Sequence, residues 1–291
     1  MPARYKPGDH QKKVETLRRL HYREELLVLP NIWDPIGALL LEDLGFPCVA
    51  TASAAIAYSN GMDDGEHISF DELLAILRRI TDSVSIPVTA DIETGFADND
   101  QQLRQNIVAL IDTGVAGINI EDRDPATDSL INAEQHAERI HLIKETTAAA
   151  GTDIFVNARC DVYVRGRDFP DPASKLHEAG RRLKIYEKAG ADCFYPITLT
   201  NEKHIELLVE SSRIPINVLA MPGLPDLSKL KALGIARVSL GPGFLKIAVR
   251  AMRDLAIQLK SNKGLDEIAG NDVTSAYLKQ LVNGSDGRRQ Q

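Results

Sequence analysis

Short apolar runs alternate with amphipathic segments along most of the chain. Helix-like segments end at a glycine and lead into an apolar run within two or three residues, as around Gly45, Gly114, Gly190 and Gly234. Glycine just past a helix end takes the left-handed conformation that closes the helix, so each junction predicts a helix followed by a strand. The apolar runs together predict eight strands, near residues 27–30, 48–52, 86–91, 116–121, 154–159, 193–196, 215–219 and 236–240.

The segments between these runs have helical periodicity. In FDELLAILRRI, residues 70–80, the apolar positions recur three and four residues apart and fall on one helix face. Ser69 and Glu72 have the spacing of a capping box at the start of this segment. Residues 11–25 predict a basic amphipathic helix ahead of the first strand, and DVTSAYLKQLV, residues 272–282, predicts a C-terminal helix.

This order of elements predicts the fold class. Eight nearly continuous apolar strands that alternate with helices, over roughly 250 residues, favour a (β/α)8 TIM barrel, an α/β fold, over a doubly wound sheet. The fingerprint G-x-G-x-x-G of dinucleotide-binding sheets is absent from the sequence. We therefore expect a single barrel domain over residues 1–291, with an N-terminal helix extension over 1–25 and a flexible tail over 284–291.

Composition narrows the classes of protein and partner. Apolar residues make up 44% of the chain and charged residues 26%, which excludes a disordered chain. The net charge of −7 disfavours nucleic acid and membrane surfaces as partners, and no apolar run approaches the roughly 18 residues of a membrane span. The N-terminus lacks the apolar segment of a secretory signal, and the three cysteines form no CxxC pair. The sequence thus predicts a cytoplasmic protein whose partner is a small molecule.

Acidic residues follow several of the predicted strands. Asp91 and Glu93 follow the third strand, Glu121 ends the fourth, and Asp64 lies in the loop after the second. Barrel active sites lie at the carboxyl ends of the strands, and alternate strand residues share a face, so these side chains are expected to converge at the barrel mouth. Converging carboxylates repel one another unless a cation joins them. Oxygen ligands without His or Cys suit Mg²⁺, with Mn²⁺ as an alternative.

An arginine completes the predicted site. Arg159, at the end of the fifth strand, is placed to hold a substrate carboxylate in a bidentate pair. Asn157, one pleat earlier, either orients the substrate or satisfies backbone groups. Acids, Mg²⁺ and one arginine at a barrel mouth predict a site for a small 2-oxo acid, in which the metal stabilises an enolate.

Several motifs occur in the order found in a known superfamily. They are LPNIWDPIGALLLEDLGF, ASAAIAYSNGMDD, TADIETGF, INIEDR, VNARCDVYV and ARVSLGPGF. Through them the chain resembles the isocitrate lyase/phosphoenolpyruvate mutase superfamily, from about Leu29 to about Leu255. The resemblance implies a Mg²⁺-dependent barrel enzyme whose subunits exchange a helix and form a homo-oligomer, a dimer of dimers. The C-terminal helix near 273–282 is the candidate for that exchange.

The resemblance also implies roles for individual residues. Asp91 matches the most direct metal ligand. Arg159 matches the substrate-binding arginine, and the segment at Ser53 matches the one that holds the substrate carboxylate. The acids that match residues acting largely through metal-bound water are Asp64, Glu93 and Glu121.

Two departures from the superfamily pattern narrow the reaction. Lyases of isocitrate and methylisocitrate carry a Lys-Cys-Gly-His stretch where this chain has residues 124–130 without a cysteine. Cys160, on the fifth strand, is instead expected to be an inert buried thiol. Phosphonate mutases place an Asn in the mobile loop, where this chain has Asp128 next to Ser129, both expected to face the substrate. A carboxylate there would repel a phosphoryl group.

The remaining branch resembles oxaloacetate decarboxylases, oxaloacetate hydrolases and related C–C lyases. The sequence therefore predicts a Mg²⁺-dependent lyase or decarboxylase that cleaves a C–C bond of a small 2-oxo or 2-hydroxy acid, such as oxaloacetate, through a metal-stabilised enolate. Arg159 and Glu121 are expected to be catalytic, with Tyr58 as proton donor and Tyr195 and His136 as alternatives. The loop 122–135 is expected to act as a lid that excludes water.

Three other interpretations stay open. In the first, the chain is a mutase or hydrolase that acts on the P–C bond of phosphonopyruvate or carboxyphosphonoenolpyruvate. In the second, it is a barrel that binds a small acid without catalysis. In the third, Gly223 and the turn Gly241-Pro242-Gly243 form a phosphate cradle for a phosphate-ester substrate.

Overall fold

The structure is a computed structural model that describes residues 7–288. Its strands are short and its helices surround them. The strands are β1 (Leu27–Leu29), β2 (Asn31–Ile32), β3 (Val49–Thr51), β4 (Val88–Asp91), β5 (Gly117–Glu121), β6 (Arg123–Asp124), β7 (Ser129–Leu130), β8 (Phe155–Cys160), β9 (Cys193–Pro196), β10 (Asn217–Leu219) and β11 (Arg237–Ser239). The helices are α1 (Pro7–His21), α2 (Pro35–Asp43), α3 (Ser53–Ser59), α4 (Phe70–Ser83), α5 (Asp100–Ile111), α6 (Ala133–Ala149), α7 (Val162–Arg165), α8 (Pro172–Ala189), α9 (Glu202–Ser211), α10 (Leu227–Ala232), α11 (Gly243–Lys260), α12 (Leu265–Ala269) and α13 (Ser275–Arg288).

The parallel strands close into a ring. One sheet has the order β2-β3-β4-β5-β8-β9 and another the order β1-β11-β10. The two sheets are joined at both edges, because Phe194 of β9 bridges Ile216 just before β10, and β1 and β2 are separated only by Pro30. Proline has no N–H to donate, which accounts for the interruption. The predicted (β/α)8 barrel is confirmed, and each of the eight predicted runs contains a strand.

Helix α1 closes the N-terminal end of the barrel. Val14 and Leu17 are fully buried and pack in one cluster with the side chains of the barrel floor, which are Leu27, Leu29, Cys48, Ala50, Ala116, Phe155 and Cys193. The helix begins at Pro7 and ends at His21, earlier than the predicted residue 25, because residues 22–25 bend to lead into β1.

Four charged side chains fasten α1 to the barrel. Arg18 Nη2 lies 2.6 Å from Asp153 and 3.0 Å from Asp192. Lys144 Nζ contacts the same two carboxylates, also at 2.6 and 3.0 Å. Burial alone would raise the pKa of Asp153, but its contacts with Lys144 and Arg18 lower that pKa below its ordinary value. The N-terminal extension is therefore an anchored floor of the barrel.

The C-terminal helices differ in how they are covered. Helix α13 packs on α2 of the same chain through Leu281, which is buried, and Tyr277. Helix α13 continues through residue 288. Residues 284–288, which were predicted as part of a flexible tail, are therefore helical and extend the anchored helix. Residues 289–291 of that predicted tail lie outside the described residues. Helix α11 instead exposes large apolar side chains, and Leu245 is its only buried residue. Helix exchange between subunits stays a prediction.

The three cysteines are free and buried. Cys48 and Cys193 lie in the floor cluster, whereas Cys160 packs among the strands and outer helices. The predicted burial of Cys160 is confirmed, and burial raises the pKa of its thiol well above the ordinary value, which favours the unreactive protonated form. Among the described residues, no helix combines the length and apolarity needed to cross a bilayer.

Candidate active site at the barrel mouth

Asp91 is the last residue of β4 and points toward Ser53 at the start of α3. The Ser53 hydroxyl donates to Asp91 Oδ2 at 3.0 Å, and the Ser53 backbone N–H donates to the same oxygen at 3.3 Å. The hydroxyl of Thr51 in turn accepts from the Asp91 backbone N–H. Strand β3 thus positions the carboxylate of β4 at the mouth. Ser53, predicted to hold substrate carboxylate, lies against the predicted metal ligand.

Glu93 is buried on a strained turn. Its φ of 51° takes it out of the strand alternation that the sequence suggested. Neighbouring Phe96 (φ 54°) and Glu66 (φ 64°) are also left-handed, and Glu66 holds the turn by accepting from the N–H groups of Thr94 and Phe96. Such strained residues are frequent at functional sites. Burial and the nearby charges of Asp64 and Asp91 raise the pKa of Glu93 to about 8.

Glu121, at the end of β5, is held between two arginines. Arg159 Nη1 lies 2.5 Å from Glu121 Oε2, and Arg123 Nε lies 2.7 Å from Glu121 Oε1. Arg123 also reaches Glu93 at 3.3 Å. Burial raises the pKa of Glu121 to about 7 despite these partners. Because both oxygens of Glu121 are engaged, its role at a metal would be exerted through water or through the arginines.

Arg159 is fixed by a second carboxylate. Asp161 accepts from Arg159 Nε at 2.7 Å and from Nη2 at 2.9 Å, a bidentate pair in which Asp161 is fully buried. The register of β5 and β8 pairs Glu121 with Arg159, and that of β8 and β9 pairs Arg159 with Tyr195. The guanidinium is therefore preorganised at the mouth, with N–H groups left over for a ligand.

A closed ring of alternating charges includes the loop 122–135. Asp161 also pairs with Arg165 on α7. Arg165 Nε lies 2.8 Å from Asp128 Oδ1, and Arg123 Nη1 lies 3.9 Å from the same oxygen. With the contacts above, the order around the ring is Asp128, Arg123, Glu121, Arg159, Asp161 and Arg165.

The donor set fits a hard divalent cation. Within residues 7–288, no three His, Cys, Asp or Glu side chains are already arranged to hold a metal ion. Mg²⁺, however, keeps several waters and takes only one or two carboxylates directly. Asp91 can supply one, since both of its hydrogen bonds arrive at Oδ2. Burial is the main cause of the raised pKa of Glu93 and Glu121, and the charge of Asp91 adds to it, so a cation bound at Asp91 would favour the ionised form of both acids.

The other predicted site residues differ in how deeply they are buried at the barrel mouth. Asn157 is fully buried one layer below Arg159 and donates to Asn119 Oδ1 at 2.7 Å. Tyr195 is buried beside Arg159, and its pKa is raised by burial. Tyr58 is 51% exposed on α3. Ser129 shares a hydrogen bond with the Thr127 hydroxyl in the loop hairpin.

The structure bears on two further sequence-derived interpretations. His136, named as an alternative proton donor, is fully buried between α6 and α8 and stacks edge-on against Tyr186, because its position on α6 faces the outer helices. In the turn proposed as a phosphate cradle, the Gly241 N–H donates to Asn31 Oδ1 and the Gly243 N–H donates to the Leu240 carbonyl. These two amides are engaged within the protein, and a cradle that includes Gly223 stays a prediction.

Three charged residues of the site were not singled out from the sequence. Arg123 and Asp161 each stand two positions after a site residue, Glu121 and Arg159, so strand alternation could have indicated them. Arg165 lies one helical turn beyond Asp161, and only its contacts reveal it.

Comparisons with known proteins show which family the chain belongs to. Residues 17–260 match the sequence family described as phosphoenolpyruvate phosphomutase. The chain is 28% identical over 201 residues to 2-methylisocitrate lyase from Aeropyrum pernix, covering 69% of this chain and 63% of that one. It is 25% identical over 256 residues to oxaloacetate decarboxylase 2 from Pseudomonas fluorescens, covering 85% and 84%. A phosphonopyruvate hydrolase crystallised with oxalate and Mg²⁺ superposes with a TM-score of 0.81 at 25% identity, covering 96% of this chain and 97% of that one.

Proposed function

The chain belongs to the phosphoenolpyruvate phosphomutase family, and from that premise we propose that it is a Mg²⁺-dependent lyase or decarboxylase. Its substrate would be a small 2-oxo or 2-hydroxy acid of the oxaloacetate type, cleaved at a C–C bond. The observation that carries this proposal is the oxygen-only acid set around Asp91, flanked by an arginine that two carboxylates hold in place. The relatives named for C–C cleavage agree with it.

The acids divide into one direct ligand and several indirect ones. Asp91 would hold Mg²⁺ directly, and Asp64, Glu93 and Glu121 would hold its waters. When bound, Mg²⁺ supplies positive charge that stabilises the negative charge that develops on the substrate oxygens as the C–C bond breaks. Mn²⁺ has the same ligand preference and is expected to substitute.

The protein's own groups would bind the substrate and supply a proton. Arg159, fixed by Asp161 and Glu121, would donate its remaining N–H groups to the substrate carboxylate. Tyr195 is favoured over Tyr58 as donor of a proton to the product carbon, because Tyr195 stands beside Arg159 in the barrel and burial keeps its hydroxyl protonated. The hairpin of β6 and β7 would exclude water above them.

The P–C branch is the second candidate function. A phosphonopyruvate hydrolase is among the solved structures that this chain resembles. The carboxylate of Asp128 disfavours this branch, since it would repel a phosphonyl group, which carries up to two negative charges, more strongly than a singly charged carboxylate.

The test is a coupled assay of pyruvate release from oxaloacetate, phosphonopyruvate, methylisocitrate and alkyl-malates, with and without Mg²⁺. We expect metal-dependent turnover of a C–C substrate that Asp91→Ala abolishes. Equal rates in both proteins would indicate uncatalysed decay and refute the site. Turnover of phosphonopyruvate alone would select the P–C branch.

We further propose that the protein is a cytoplasmic dimer of dimers. Support comes from α11, which exposes Ile247, Val249, Met252 and Ile257, an apolar surface that monomers seldom leave uncovered. Sedimentation equilibrium would give four times the mass of one 32.0 kDa chain. A single-chain mass at micromolar concentration would contradict the proposal.

A further inference from the structure

One oxygen atom of Asp128 is shared by two guanidinium groups. Asp128 Oδ1 lies 2.8 Å from Arg165 Nε and 3.9 Å from Arg123 Nη1. The side chains of Arg123 and Arg165 are 9% and 19% exposed, whereas that of Asp128 is 59% exposed. Two largely buried cations thus point at a position that an exposed, movable carboxylate fills.

Each arginine keeps a partner when Asp128 is removed. Arg123 pairs with Glu121 and Glu93, and Arg165 pairs with the fully buried Asp161. The two guanidinium groups are therefore held in place from below, and the Asp128 carboxylate is the one member of the ring that can leave without exposing a buried acid.

Arg123 and Arg165 flank Arg159, each through a carboxylate that it shares with Arg159. Arg123 shares Glu121 with Arg159, and Arg165 shares Asp161 with it. A ligand whose first carboxylate binds Arg159 would therefore present a second acid group, a few bonds away, to Arg123 and Arg165.

Asp128 is also held in a strained conformation. Its φ is 51°, in the left-handed region, and it lies in the short hairpin between β6 and β7. Aspartate tolerates this region better than most residues, but the conformation still costs free energy. Displacement of the Asp128 carboxylate would let the hairpin relax and move, so ligand binding and lid movement would be linked.

We propose that Arg123 and Arg165 bind the second carboxylate of a dicarboxylic substrate, and that the Asp128 side chain occupies this position until the substrate displaces it. In the structure, the Asp128 carboxylate stands in for that substrate group. The inference rests on the proposed function and deepens it, because it restricts the substrate to acids with a carboxylate at each end. Guanidinium groups suit such planar, charge-assisted recognition.

The experiment measures dissociation constants by calorimetry in the presence of Mg²⁺. The probes are oxalate, which is long enough only for the Asp91 and Arg159 end, 3,3-difluorooxaloacetate, which carries a second carboxylate, and phosphonopyruvate. The variants are Arg165→Gln, Asp128→Asn and, as a control, Arg79→Gln, an exposed arginine on α4 for which no ion pair is present among the described residues. Circular dichroism confirms that each variant folds.

We expect Arg165→Gln to weaken difluorooxaloacetate binding about 10- to 100-fold, as for the loss of a charge-assisted hydrogen bond, and to leave oxalate binding within about twofold. Asp128→Asn should strengthen difluorooxaloacetate binding severalfold, because a competing carboxylate is gone. Arg79→Gln should change neither.

Three results would overturn the inference. Equal weakening of oxalate and difluorooxaloacetate by Arg165→Gln would mean that Arg165 acts only through Asp161. Weaker binding of difluorooxaloacetate to Asp128→Asn would mean that Asp128 contacts the ligand itself. A larger effect of Arg165→Gln on phosphonopyruvate than on difluorooxaloacetate would assign the position to a phosphonyl group. Absence of Mg²⁺-dependent oxalate binding to the unsubstituted protein would instead refute the proposed function itself.

Discussion

The two ends of the barrel carry ion-pair networks with opposite properties. At the floor, Arg18 and Lys144 each contact both Asp153 and Asp192, and the pKa of Asp153 is lowered. At the mouth, burial and crowded acids raise the pKa of Glu93 to about 8 and that of Glu121 to about 7.

This difference between the two networks indicates that the floor network serves stability and the mouth network serves binding and catalysis. The floor network is satisfied by the protein alone, and it lies where barrels keep residues for stability. The mouth network has a surplus of acid and left-handed residues such as Glu93 and Asp128, so it is stabilised fully only by what binds there. Substitutions at the floor should therefore change unfolding, and substitutions at the mouth should change turnover.

The largest expected effect is at Asp91. Asp91→Asn removes the charge proposed to bind Mg²⁺ and should lower kcat about 10³-fold, because a metal ion contributes several kcal/mol of transition-state stabilisation. The melting temperature should stay near that of the unsubstituted protein. Steady-state kinetics and thermal melts of both proteins check this, and a large loss of stability with normal kcat would place Asp91 among the structural residues.

The next effect sharpens the choice of proton donor. Tyr195→Phe should lower kcat about 100-fold, within the range of general acid catalysis, whereas Tyr58→Phe should change it severalfold at most. Turnover of the two variants at saturating substrate decides between them. A loss confined to Tyr58→Phe would restore the donor favoured from the sequence.

The floor should show the reverse pattern. Asp192→Asn weakens contacts to Arg18 and Lys144 and should lower the free energy of unfolding by about 1–3 kcal/mol, less than for a fully buried pair because the side chains are partly exposed. The value of kcat should not change. Urea unfolding measures the effect, and Lys12→Ala, in an exposed pair with Asp9, is the matched control with no expected effect.

The smallest effect is a pH dependence at the floor. The pKa of Asp153 is lower in the folded protein than its ordinary value, so its contribution to stability is present at neutral pH and is lost as pH falls below about 4. Unfolding curves of Asp153→Asn and the unsubstituted protein should differ by about 1 kcal/mol or less at pH 7 and converge in acid. A gap that widens in acid would contradict the assignment.

Much of this fold could be predicted from the sequence, because most helix-to-strand junctions are marked locally by a glycine and the strands by apolar runs. The convergence of Asp64, Asp91, Glu93 and Glu121 followed from barrel topology, since every strand delivers its carboxyl end to the same mouth. What could not be predicted depends on side-chain contacts between distant segments.

Two residues show this limit. His136 has the residue type of a proton donor, but the face of α6 on which it lies packs on α8, and the sequence does not state that rotation. Arg165 has no motif, and its place in the ring depends on contacts with Asp128 and Asp161, which lie on different elements.

The buried cysteines make local opening of the barrel measurable by thiol modification. Cys48 and Cys193 lie under α1, and Cys160 lies beneath the outer helices. A thiol reagent therefore reaches Cys48 and Cys193 only when the floor opens, and Cys160 only when the outer layer opens. The rate at which each thiol is modified under native conditions therefore measures how often the part of the structure that covers it opens. The opening of the floor and the opening of the outer layer can in this way be measured separately, without introducing a probe.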